Sequence, residues 1–134
     1  MNPPLLLQCN VNHSRGAQDL MIQSLAELGG VIAVAAEPYN VPDHPSWLGA
    51  EDGSVALYFR YGSGPESSVF SLLERGRGFV AAEWEELAIV GGYFLPNRPF
   101  REFEQYLGKL ERVVRTHSAR PVLVLGDFNS KSKA

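Results

Sequence analysis

Six polar side chains of this sequence fall where apolar runs end: Asn10 and Asn12 around LLLQCNV, Glu37 after VIAVAA, Tyr93 in GGYFLPN, and Asp127 with Asn129 in PVLVLGDFN. A carboxylate set just beyond a buried strand is well oriented yet only partly desolvated. That suits a hard, oxygen-seeking cation such as Mg²⁺, held by one or two carboxylates plus waters and substrate phosphate. Glu37 is the first candidate ligand. In GDFN, Gly126 permits a tight turn, Asp127 can be the base or orienter of an attacking water, and Asn129 can donate to a phosphoryl oxygen or hold that water. Tyr93 can set a phenolic hydroxyl against a phosphate, with Asn97 nearby on the same loop. Each residue also has a local explanation: a loop-opening Glu paired with an Arg, an Asx turn after Gly126, an aromatic at a sheet edge.

The elements that must position these groups are legible from periodicity. Leu5 to Val11 reads as a short buried strand. Ser14 is a plausible N-cap for a helix in which Ala17, Leu20, Met21, Leu25 and Leu28 recur at helical spacing until Gly29 and Gly30. VIAVAA at 31–36 reads as a second buried strand, parallel to the first because a crossover helix joins them. Residues 37–53, with three Pro and two Gly, read as a long surface loop. Strands are then expected at Val55 to Arg60, Val69 to Leu73, Phe79 to Trp84 and Leu87 to Tyr93, as an antiparallel meander. Pro99 to His117 returns to helical periodicity, and 121–129 is a buried strand running into a polar turn. The order β-α-β, several strands, α, β is a mixed α/β arrangement. The last strand finishes at Gly126, eight residues before Ala134. Ligands in open α/β sheets sit beyond the carboxyl ends of strands, so the expectation is a fragment cut through its site.

Composition narrows the class. With 134 residues, 45 % apolar and 10 % aromatic, the chain can bury a sizeable core as one domain. No apolar run reaches the roughly 18 to 20 residues that span a bilayer, and the N-terminus lacks a signal-peptide pattern. The expectation is a soluble, intracellular protein, neither secreted nor bound to a membrane. Cys9 is the single cysteine, which excludes an internal disulfide. The net charge of −3 is uneven: residues 1–97 carry 4 basic against 11 acidic groups, a net of −7, whereas residues 98–134 carry 8 against 4, a net of +4. A basic end can meet a phosphate backbone, or be the solvated face of a helix.

Taken in order, the strand ending QCNVN, the strand ending EPY, the YFLPN segment and VLVLGDFN resemble the endonuclease/exonuclease/phosphatase superfamily, which includes deoxyribonuclease I and abasic-site endonucleases. More closely, NVNHSRGAQDLMIQSLAELG, AAEPYNVPD with Trp47 following, GGYFLPN and PVLVLGDFN are similar to the N-terminal endonuclease domain of non-LTR (LINE-type) retrotransposons. The resemblance spans nearly the whole chain. It implies part of a four-layer α/β sandwich of the deoxyribonuclease I type, with residues 1–134 a single incomplete domain lacking its C-terminal sheet half. It implies that Glu37 binds the metal, Mg²⁺ or alternatively Mn²⁺, and that Asn10 helps arrange metal and phosphate, with Asn12 the polar position two residues on. Tyr93 would contact the scissile phosphate, Asp127 would orient or deprotonate the attacking water, and Asn129 would be its partner. The implied reaction is in-line attack of water on a phosphodiester of double-stranded DNA, in the nucleus. In an intact element a reverse transcriptase on the same polypeptide would use the nick.

Two departures from the family pattern carry expectations. Nothing matches the family's Ser-Asp-His run, and His13, His44 and His117 are read as surface residues in the wrong part of the chain. Losing a group that stabilises transition-state charge costs on the order of 10²- to 10³-fold or more, so these residues alone are expected to be inactive. Gly91 and Gly92 before Tyr93 are expected to loosen its placement, and Ala35 and Ala36 look small for a core strand. Two other functions fit the same residues: a phosphoesterase of this fold acting on a lipid or inositol phosphate, and a non-catalytic DNA- or protein-binding remnant using Arg98, Arg101, Lys109, Arg112 and Arg115.

Overall fold

A computed structural model describes residues 5–61, 70–95 and 97–128. Its first sheet contains β1 (Leu6–Asn10), β2 (Ile32–Ala36), β3 (Trp47–Gly49) and β4 (Val55–Phe59), in the order β1-β2-β4-β3. The second contains β5 (Phe70–Gly76), β6 (Phe79–Trp84), β7 (Leu87–Phe94) and β8 (Val122–Phe128), in that order. Helix α1 (Arg15–Glu27) connects β1 to β2, and α2 (Phe100–Thr116) connects β7 to β8. Both connected pairs are parallel and all other pairs antiparallel. The result is an α/β fold of two mixed sheets and two helices.

Strand alternation sorts the apolar side chains into three clusters. Ile32, Val34, Val55, Leu57, Phe59, Val80, Ala82 and Ile89 pack between the sheets. The intervening Ala33, Ala35 and Ala56 meet Met21 and Leu25 of α1. On the far side, Phe79, Ala81, Val90 and Phe94 meet Tyr106, Leu110 and Val113 of α2. Small residues on β2 therefore belong there: Ala35 and Ala36 are 0 % and 2 % exposed, each on a different face. Both helices lie where the spacing predicts, but Leu20 and Leu28, expected on the apolar face of α1, are 61 % and 60 % exposed, and the helix buries Met21, Leu25 and Gln18. Ser14 Oγ accepts from Ala17 N at 3.1 Å, and α2 runs between Pro99 at its N-cap and His117 at its C-cap.

Three expectations need correction. The long loop contains a strand, β3, because Trp47, Leu48 and Gly49 pair with Tyr58, Leu57 and Ala56. The meander is shorter than expected, since β4 joins β2 and β3 in the first sheet and the antiparallel run of the second sheet consists of β5, β6 and β7. Gly91, expected to loosen Tyr93, has a packing reason. A Cβ on Gly91 would lie 3.0 Å from Leu57 and 3.4 Å from Val34, so glycine there lets the two sheets close against each other. Gly126 is a second close approach: its Cβ would fall 2.1 Å from the Gly92 carbonyl oxygen. Among the described residues, no helix is long and apolar enough to cross a membrane.

Candidate active site

The carboxyl ends of the parallel strands β1, β2, β7 and β8 open on the same rim of the molecule. Asn10 ends β1 and stands opposite Ala36 in the register, one residue before Glu37. Tyr93 and Asp127 are register partners on β7 and β8. Residues paired in register project to the same face, and Ala36 and Tyr93 belong to the cluster between the sheets. Asn10 and Asp127 therefore face each other across the sheets, and Asn10 Nδ2 donates to Asp127 Oδ2 at 2.8 Å. The same face of β1 carries Gln8, whose Oε1 accepts from Gly126 N at 2.9 Å. Asp127 thus lies within β8 rather than in a turn after it, a correction to the Asx-turn reading. The parallel pairing with β7 continues through Tyr93↔Asp127 and Phe94↔Phe128.

Glu37 sits immediately beyond β2 with φ of 51°, a left-handed conformation that costs energy in a residue with a Cβ. Its backbone is pinned on both sides: the amide donates to Ser54 O at 2.8 Å, and the carbonyl accepts from His13 N at 2.8 Å. Asn12 and His13 share the left-handed conformation, at φ of 52° and 57°. Asn12 N donates to Asn10 Oδ1 at 2.9 Å, so this turn fixes the Asn10 amide with its nitrogen toward Asp127. The Asn12 side chain is exposed.

Tyr93 is 4 % exposed. Burial is the main cause that pushes its phenol up to about 12, helped by a hydrogen bond to the Glu37 carboxylate and by the charges of Glu37 and Asp127. The hydroxyl stays protonated through the neutral range and remains a donor. Glu37 and Tyr93 border a cleft of about 850 Å³ between the rim and α2, whose other walls include His13, Arg77, Arg98 and Gln105.

Two residues gain a place that the sequence did not reveal. His13, read as a surface residue, is exposed but has Nε2 3.7 Å from Glu37 Oε1 and Nδ1 3.3 Å from Pro38 O. Gln18, 6 % exposed in α1, donates through Nε2 to Asn40 O at 2.7 Å and accepts at Oε1 from Tyr39 N at 2.7 Å and Asn40 N at 3.3 Å. It ties down the segment that follows Glu37. A Gln inside an otherwise amphipathic helix was the available signal, because a buried amide needs partners. Asn97 is exposed at φ of 63° and lies off the walls of the cleft. Asn129 lies outside the described residues. His44 accepts from Ser46 N, and His117 faces Glu74 at 3.2 Å, both away from the rim.

The basic face of α2 is largely engaged within the molecule. Arg98 pairs with Glu102, Arg112 with Glu74 and Arg115 with Glu111, while Lys109 donates to Arg77 O. Glu74 and Glu111 thus neutralise two of the cations that a phosphate-binding stripe would use.

Glu37 and Asp127 supply two carboxylates and Asn10 an amide on one rim. Among the described residues no three His, Cys, Asp or Glu side chains gather as a metal cluster. Two carboxylates without a third are compatible with Mg²⁺, which keeps several waters and needs only one or two such ligands.

No protein-family model matches this sequence, and no curated protein matches it. Among solved structures, the endonuclease domain of TRAS1, a telomere-specific non-LTR retrotransposon, is similar, with a TM-score of 0.77 at 22 % identity. The match covers 97 % of this chain and 61 % of that one. The chain has the fold of a non-LTR retrotransposon endonuclease domain over that portion.

Proposed function

We propose that the chain is the larger part of a metal-dependent endonuclease domain that hydrolyses phosphodiesters of double-stranded DNA in the nucleus. In this reading it is one incomplete domain of a four-layer sandwich, and in an intact element it is linked to a reverse transcriptase. The observation that carries it is the Asn10–Asp127 hydrogen bond of 2.8 Å. It joins residues 117 positions apart, at the carboxyl ends of two parallel strand pairs, beside Glu37 and Tyr93.

In this reading Glu37, with Asp127 and Asn10 at its side, holds Mg²⁺ or Mn²⁺, which when bound draws charge from a phosphoryl oxygen. Asp127 would orient the attacking water and accept its proton as the new P–O bond forms and the bond from phosphorus to the 3′-oxygen breaks, leaving a 5′-phosphate and a 3′-oxygen that takes a proton from solvent to become the 3′-hydroxyl. Asn10 fixes the Asp127 carboxylate by donating to Oδ2, leaving Oδ1 toward the water. Tyr93, kept protonated by burial and by Glu37, would turn its single O–H from the Glu37 carboxylate to a non-bridging oxygen, where charge accumulates in the transition state. Asn12 and Asn97 lie on the flanking turns and contact the DNA strand beyond the scissile phosphate, and Asn129 partners Asp127.

The test is nicking of supercoiled plasmid by the longest chain that the reading frame encodes, in Mg²⁺ and in EDTA. Asp127→Ala should lower kcat by about 10²- to 10⁴-fold, the usual worth of a positioned base. Glu37→Ala should raise the Mg²⁺ concentration required. Unchanged nicking in both variants overturns the assignment. Cleavage of phosphoinositide or sphingomyelin in preference to DNA selects the lipid phosphoesterase instead.

A further inference from the structure

The turn between β3 and β4, residues 50–54, reaches from the first sheet to the second, with Ala50 packed in the core between them. Asp52 Oδ1 accepts from Ser54 N at 3.2 Å, Ser54 Oγ at 2.7 Å and, across the sheets, Gly78 N at 3.1 Å. Glu51 N adds a bond to Gly76 O at 2.9 Å. At either end of this bridge stands a residue of the rim. Ser54 O receives the Glu37 amide at 2.8 Å, and Gly78 O receives the Tyr93 amide at 2.9 Å together with the Tyr106 hydroxyl at 2.7 Å.

We infer that Asp52 is a positioning residue that holds Glu37 and Tyr93 in fixed relation across the two sheets. The bonds run in one unbroken path, Glu37 to Ser54 to Asp52 to Gly78 to Tyr93. Gly78 sustains the path because it sits at φ of 79°, where a Cβ would press to 3.0 Å from both Tyr93 O and the Tyr106 ring. Only glycine meets both contacts without strain. Burial raises the Asp52 carboxyl, and the bonds from Ser54 and Gly78 outweigh it, leaving the group below the ordinary carboxylate range. The carboxylate form is the one these donors select.

The catalytic meaning of this bridge rests on the endonuclease reading, whereas its geometry stands independently of that reading. Amide hydrogen exchange followed by NMR on the 134-residue chain reads the geometry. Asp52→Ala should lower protection at the Gly78, Glu37 and Tyr93 amides by about tenfold or more, with Leu25 and Val34 unchanged. Asp52→Asn keeps an oxygen acceptor and should restore wild-type protection. If Asp52→Ala loosens the whole chain, Ser54→Ala removes only the hydroxyl that braces Asp52 and reads the same amides. Their joint loss of protection supports the inference. Protection at Glu37 and Tyr93 as in the wild type, or failure of Asp52→Asn to restore it, overturns it. In the nicking assay Asp52→Ala should lower kcat with KM unchanged, and Asp52→Asn should recover it. Loosened amides, with no DNA cleavage by the longest chain that the reading frame encodes, retain the bridge and remove the endonuclease reading.

Discussion

Glu37 and Asp127 stand on the same rim and are held in different ways. Glu37 follows β2, every residue of which is buried, and its own amide and carbonyl are both bonded while Gln18 fastens the segment behind it. Asp127 lies on β8, which among the described residues pairs only with β7 and leaves Leu123 and Val124 36 % and 38 % exposed. Its supports are the register with β7, the Asn10 amide and the Gln8 bond to Gly126. The carboxylate proposed to hold a metal is thus set by a central strand, and the one proposed to work on water by an edge strand. Order at the second depends on cross-sheet side chains more than on core packing.

Substitutions that touch one half and spare the other separate the two modes of support. Gln18→Ala leaves two backbone amides and a carbonyl without their partner, and should cost about 2 kcal/mol in urea denaturation. Exchange protection should fall at Tyr39 and Asn40 and persist along β8; loosening of β8 instead would show that the two halves are not held separately. A smaller effect is expected from pH on the second sheet. Glu74 is held below its ordinary value of 4.5, first by its hydrogen bond to Arg112, against burial, with His117 adding to it. Its contribution is full above that value and is lost as pH falls through the lowered one. Melting temperature should therefore drop more steeply below pH ~4 in the wild type than in Glu74→Gln; parallel curves would remove Glu74 from the account. The smallest change in stability is expected for Val124→Lys, within about 0.5 kcal/mol at an exposed position. The same charge on an open edge should reduce association seen in sedimentation. A wild type that is already monomeric would show that this edge is protected.

How much of this was legible in the sequence follows from the range of each interaction. Helix α1, its Ser14 cap and the parallel β1–β2 pair are local, and periodicity with capping chemistry found them. The sheet membership of β4 was not legible, because Val55–Phe59 reads identically as a meander strand or as a partner of β2; only the register decides. Strand β3 was missed because three residues inside a Pro-rich loop carry no period. The site residues at strand ends could be chosen by type and position, whereas the Asn10–Asp127 bond depends on two edges meeting across 117 positions. Asp52 and Gly78 read as ordinary turn residues, and their role in linking the sheets exists only in three dimensions.

The most direct test of the central claim, that the two sheets converge on one cation site, is titration of the 134-residue chain with Mn²⁺ while its amide resonances are observed. The resonances of Asn10, Glu37, Tyr93 and Asp127 should broaden together at the lowest Mn²⁺, and Mg²⁺ in excess should restore them. Broadening that begins elsewhere, or that reaches Glu37 and leaves Asp127 sharp, would contradict the claim.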